Sequence, residues 1–201
     1  MKKILSALTI LVFIIMSAFP AFAVTAETKG SDFTYSKMPN GNLKITGYKG
    51  LDTVISVPQT YNNRKVTVIK SLDVFSKAKV TTIKIYKNIK RIGNTNVSKL
   101  NGLKTIKVSA NNLWYSSVDG VLYNKTKTKL LACPVKRTAV TIPKTVTDIS
   151  SNAFKNCSSI KSISIPTSVK NIGTYYTDTK KQYQYLKSIG ADIAMSDYKL
   201  R

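Results

Sequence analysis

Five short β-branched segments recur along the chain, and no other feature limits its possible folds so strongly. They read Val54-Ile55-Ser56-Val57-Pro58, Thr82-Ile83-Lys84-Ile85-Tyr86, Thr105-Ile106-Lys107-Val108-Ser109, Val140-Thr141-Ile142-Pro143 and Ser162-Ile163-Ser164-Ile165-Pro166. Counted from the second apolar residue of each (Val57, Ile85, Val108, Ile142, Ile165), the steps are 28, 23, 34 and 23 residues. A base period of 23 accounts for all four once insertions of 5 and 11 residues are allowed. The shorter insertion follows Pro58, where Asn62-Asn63 is a turn signal. The longer one lies between Asn111 and Arg137. There Asp119-Gly120 has the composition of a hairpin turn, and Val121-Leu122-Tyr123 and Leu130-Leu131-Ala132 flank a polar stretch. An inserted hairpin is therefore expected near residues 112–134.

One strand per unit, at a period in the twenties, predicts a solenoid. Alternate strand residues face opposite sides. Ile55/Val57, Ile83/Ile85, Ile106/Val108, Val140/Ile142 and Ile163/Ile165 are thus expected to point inward. One unit of this size cannot bury such a face, but stacked units share a continuous core. Their strands would form a parallel sheet with rungs about 4.8 Å apart. The competing architecture is an antiparallel β-sandwich. It would not hold a fixed register that reaches the trailing Ile92-Gly93 and Ile172-Gly173.

The first residues have the form of an export signal. Lys2 and Lys3 precede a run from Ile4 to Phe19 that only Ser6, Thr9 and Ser17 interrupt. Pro20 ends the run, and Ala21-Phe22-Ala23 fits a small-x-small cleavage site before Val24. A retained membrane anchor is the alternative, but a spanning helix wants about 20 apolar residues. No second apolar run follows, so no transmembrane segment is expected after cleavage. The reading is a secreted, extracellular or cell-surface-associated protein.

Composition bears on chemistry. The chain has no His, so His-based triads, general bases and metal ligands are excluded. Its two Cys, 24 positions apart, form no CxxC motif. Glu27 is its one Glu, and the eight Asp are scattered. No catalytic constellation is recognisable, and a non-enzymatic protein with no cofactor or metal is expected. Lys and Arg total 32 against 9 Asp and Glu, a net charge of +23. Such an excess attracts polyanions over a Debye length of about 8 Å. Outside a cell these are wall polymers, anionic lipid headgroups and acidic polysaccharides rather than nucleic acid. Of the 32 basic residues 28 are Lys. Dedicated phosphate or carboxylate sites favour Arg, so a diffusely charged surface is the simpler reading.

The stretch Asn152-Ala153-Phe154-Lys155-Asn156-Cys157 continues through Ile160, Ile163, Ile165-Pro166 and Val169 to Ile172-Gly173. Position by position it resembles the BspA-like leucine-rich-repeat family of bacterial surface proteins. Phe33-Thr34-Tyr35, Asn40-Gly41 and Leu43 to Tyr48 resemble that family's opening hairpin. Asp119 to Asn124 is similar to its inserted hairpin, and Tyr175 to Met195 to its closing helix-strand cap. Two units depart from the pattern. Phe75 is followed by Lys77 or Ala78 near the Cys position, and Asn96-Val97 stands where Ala-Phe is expected. The resemblance implies a mostly β leucine-rich-repeat solenoid with parallel stacked strands. The expected organisation is a signal peptide at 1–23, an N-terminal hairpin cap at 24–50, about five rungs at 51–173, and a C-terminal cap and tail at 174–201. Asp178 can N-cap a helix from about Thr179 to Ser188, followed by a strand from Ala191. Tyr175, Tyr176, Tyr183 and Tyr185 with Lys180, Lys181 and Lys187 could instead read as an aromatic-basic patch. An apolar solenoid end must be covered, so the cap reading is preferred.

Cys157 and Cys133 occupy near-equivalent positions on neighbouring rungs, within disulfide range. The resemblance implies a packing role for Cys157, and free thiols are preferred. The family also implies adhesion or protein-protein contact. The candidate partner-binding residues are the outward ones: Thr82, Lys84, Thr105, Lys107, Thr141, Ser162 and Ser164. The expected partner is a protein ligand. The alternative is an anionic wall or mucosal polymer held by charge.

Overall fold

The computed structural model describes residues 30–173 and 191–192. The described chain opens on an antiparallel hairpin, β1 (Phe33–Lys37) and β2 (Leu43–Tyr48). Two ladders of short strands follow on opposite sides of the core. The first contains β3 (Val54–Ser56), β6 (Thr82–Ile85) and β8 (Thr105–Val108), paired in parallel with Ile55, Ile83 and Ile106 in register. It resumes with β12 (Ala139–Thr141), β14 (Ser162–Ser164) and β16 (Ala191–Asp192), also parallel. The recurring β-branched segments are these strands. Ile55, Val57, Ile83, Ile85, Ile106, Val140, Ile142 and Ile163 are buried as the alternation requires, and Val108 and Ile165 are partly buried.

The second ladder comes from the apolar positions that trail each strand. β2 pairs in parallel with β5 (Arg64–Ile69), and β5 with β7 (Arg91–Ile92). Further on, β11 (Lys129–Ala132), β13 (Asp148–Ile149) and β15 (Asn171–Ile172) do the same. The trailing glycines have a steric cause. A Cβ on Gly93 would lie 2.5 Å from the Lys70 carbonyl oxygen, and one on Gly173 would collide with the Ser151 backbone nitrogen. The chain of the preceding rung passes too close for any side chain there.

The 5-residue insertion is β4 (Thr60–Tyr61), paired antiparallel with β5 across Asn62-Asn63. Both Asn have positive φ (46° and 59°), a combination that suits Asn and matches the twist of a tight hairpin. The 11-residue insertion is larger than the expected hairpin. It forms a three-stranded meander of β9 (Tyr115–Val118), β10 (Val121–Asn124) and β11, and its last strand belongs to the second ladder. Asp119 and Gly120 make its first turn with φ of 48° and 79°.

This meander changes the core. The sequence implied one continuous interior, but the buried residues fall into two clusters. Strand β10 stands between them with both faces buried: Leu122 packs into the first cluster, Val121 and Tyr123 into the second. The meander also takes the edges on which the next rung would have stacked. The Ile106 amide donates to the Gly120 carbonyl at 2.9 Å, so β8 meets the meander rather than β12. Strand β10 likewise pairs with β11 on the edge where β7 would have stood.

The two irregular rungs keep the packing geometry. Phe75 and Ala78 are buried, as are Val97 and Leu100 at the positions that Phe154 and Cys157 hold in the regular unit. Cys133 and Cys157 are free, buried thiols; the Cys157 Sγ lies 3.5 Å from the Cys133 carbonyl oxygen. The hydrogen bond between the two side chains and then burial push the Cys133 thiol up, as expected of packing residues. At the front end Phe33, Tyr48 and Phe75 form an aromatic cluster, with ring centroids 4.9 Å apart for Phe33–Tyr48 and 5.8 Å for Tyr48–Phe75. The helix expected from Thr179 to Ser188 and the aromatic-basic patch around Tyr175 to Lys187 lie outside the described residues, as does the export segment.

Candidate functional site

The outward residues of the first ladder stand in register. Thr82 lies opposite Thr105, and Lys84 opposite Lys107. On β3 the same two files begin with Val54 and Ser56. Lys107 is exposed, whereas Lys84, Thr82 and Thr105 are half-buried. Thr141, Ser162 and Ser164 are exposed on β12 and β14, with Thr141 opposite Ser164. The seven residues do not form one row. The meander separates them into a Thr/Lys patch on β6 and β8 and a Thr/Ser patch on β12 and β14. The turn at Gly120 abuts Thr105 so closely that a Cβ there would meet its Cα, Cγ2 and Oγ1 at 3.2 Å. The Val108 amide further donates to Ser117 Oγ at 3.0 Å.

A second feature was not anticipated from the sequence. A groove of about 350 Å³ crosses the first half of the second ladder. Asn42, just before β2, Lys65 on β5, and Lys87, Asn88 and Lys90 before β7 line it, with Trp114 just before β9. None of its lining residues is acidic or Arg. The Lys90 ammonium sits over the Trp114 ring, 5.3 Å from the centroid. Trp114 is 37% exposed and its neighbour Leu113 68%.

Asn112 holds this wall in place. It is wholly buried and uses its entire amide. Its Nδ2 donates to the carbonyls of Tyr86 (2.8 Å) and Ile89 (2.9 Å). Its Oδ1 accepts from the Trp114 and Tyr115 amides, both at 2.8 Å. The Tyr115 hydroxyl in turn accepts from the Ile92 amide at 2.8 Å, and burial raises its pKa. Lys125 Nζ donates to the carbonyls of Ala110 (2.9 Å) and Asn112 (2.6 Å). The sequence signal available was the lone Trp after Asn111-Asn112, at the point where the period is broken. Among the described residues no group of three or more His, Cys, Asp or Glu gathers.

The repeat geometry meets its decisive comparison in a family model. The model of the BspA type leucine rich repeat region matches in six copies, over residues 34–132 and 124–186. The chain belongs to the BspA-type leucine-rich-repeat family. Six copies exceed by one the five strand segments that the period picks out. Bacterial BspA-type repeats suggest protein-protein interaction, and leucine-rich-repeat folds of this kind are typically non-catalytic scaffolds. Three solved structures are similar to this chain. The pneumococcal vaccine antigen PcpA shares 22% identity over 61% of this chain and 36% of its own, with a TM-score of 0.44. A leucine-rich cell surface protein from Faecalibacterium prausnitzii shares 18% over 75% and 73%, with a TM-score of 0.39. A leucine-rich-repeat protein of T. pallidum shares 15% over 82% and 99%, with a TM-score of 0.43. This BspA-type chain thus spans about a third of the PcpA chain it matches. No curated protein matches it.

Proposed function

We propose that this protein is an exported, non-catalytic binding module that engages a protein partner through the outward face of its first ladder. The observation that carries the reading is the register of Thr82 with Thr105 and of Lys84 with Lys107 on a parallel sheet. Their spacing is set by backbone hydrogen bonds, so a partner meets a preformed pattern and little entropy is lost in ordering it. The patch of Thr141, Ser162 and Ser164 offers a second, uncharged contact beyond the meander. Adhesion is the form this activity takes if the protein is retained on the cell surface.

Replacing Lys84 and Lys107 together with Thr keeps strand propensity and removes two charges from the patch. Capture of a discrete partner from cell extracts at high salt should then fall about tenfold, while replacing Lys144 and Lys170 should leave it unchanged. Equal loss from both pairs rejects the face as the site. Export predicts that mass spectrometry of the secreted protein finds Val24 first. A chain that keeps its N-terminal apolar run in the membrane fraction contradicts export.

A further inference from the structure

The groove walled by Trp114 is on the second ladder and is independent of the partner-binding face. We propose that it is a binding site for a carboxylated polysaccharide. Three observations converge on that ligand class. Lys65, Lys87 and Lys90 line the groove with no acidic residue among them, so the site is built for an anion. Trp114 and Leu113 keep apolar surface in water beside these charges. The indole is anchored at the surface, where Asn112 ties down its backbone amide. Finally, Asn42 and Asn88 add amide groups to the same walls.

These groups match the parts of an acidic sugar. The C–H face of a pyranose ring packs on the indole, its hydroxyls pair with amides, and its carboxylate pairs with ammonium groups. The Lys90 amide donates to the Thr67 carbonyl, so β5 and the segment before β7 are adjacent rungs, about 4.8 Å apart. In that register Lys65 stands opposite Asn88, one rung and two residues from Lys90, so the two Lys positions lie about 8 Å apart along the groove rather than on one spot, which suits an extended polymer more than a single small anion. Phosphodiester polymers built on open-chain polyols have no ring to stack on the indole.

Trp114 is the chain's single Trp, so its fluorescence reports on this groove alone. The protein is titrated with an oligoguluronate hexasaccharide, with neutral maltohexaose and with an oligothymidylate of equal charge. A saturable change in emission is expected with the hexauronate only. Lys65→Gln with Lys87→Gln should weaken its binding about tenfold. Lys144→Gln with Lys170→Gln removes the same charge from exposed positions beside the second cluster and should cost less than about twofold. The proposal is overturned by the lack of a saturable response to the hexauronate. It is equally overturned by maltohexaose or oligothymidylate binding as tightly, or by the two Lys pairs weakening binding alike.

Discussion

Ile163→Asp should unfold the second half of the stack and spare the first. Ile163 is 4% exposed, lies opposite Val140 on β12, and belongs to the cluster that contains Val121, Tyr123 and Cys157. A carboxylate buried in that apolar cluster costs several kcal/mol, a large share of the roughly 5–15 kcal/mol by which a domain is stable. In a solenoid each rung's stability comes from its own packing and from its neighbours. The damage should therefore stop at β10, where Leu122 belongs to the first cluster and Val121 to the second. Hydrogen exchange should show β12 and β14 unprotected, while β3, β6 and β8 exchange slowly. Ser164→Asp, one residue on and exposed, should cost no more than about 0.5 kcal/mol. A single concerted loss of protection across all five strands would show that the meander is no boundary. Equal damage from both substitutions would refute the inward and outward assignment.

Asn112→Ala should destabilise the first half by about 4 kcal/mol, more than most core truncations of similar size. The side chain makes four hydrogen bonds of 2.8–2.9 Å to backbone groups, and truncation removes all four, although the Tyr86 carbonyl also accepts from the Ile89 amide at 3.4 Å. Leaving one such group unpaired in the interior costs about 1–3 kcal/mol, reduced wherever water can enter. Asn112→Asp keeps the acceptor for the Trp114 and Tyr115 amides but turns a second oxygen toward the Tyr86 and Ile89 carbonyls, and should be no better. Urea unfolding measures the loss, and Trp114 emission reports whether the groove wall has moved. A cost below about 1 kcal/mol for Asn112→Ala would mean that the polar network contributes little beyond shape.

The inserted meander separates what the sequence determined from what the tertiary structure decided. Strand identity, inward residues, turn positions and family were all legible in the sequence. Each depends on local rules: alternation in Ile163 and Ser164, positive φ at Asn62-Asn63 and Asp119-Gly120, and a repeat that places Val97 and Leu100 where Phe154 and Cys157 recur. Even the glycines of Ile92-Gly93 and Ile172-Gly173 announced themselves by recurrence, although their reason, the backbone passing beneath them, is tertiary. What could not be read was where an 11-residue excess would go. Its strands alternate as any strand does, and nothing in Val121-Leu122-Tyr123 says that both faces will be buried, each in a different cluster. That outcome depends on which open edge the meander finds. Its first turn bonds to β8 and its strand β10 covers the edge of β11, so both take backbone groups that the next rung would otherwise have taken. The same step divides Thr82, Lys84, Thr105 and Lys107 from Thr141, Ser162 and Ser164, and brings Trp114 beside Lys90. Short-range periodicity fixes the rung, because its hydrogen bonds and side-chain alternation repeat with each unit. The candidate sites arise where that period is broken, from contacts between residues far apart in the chain.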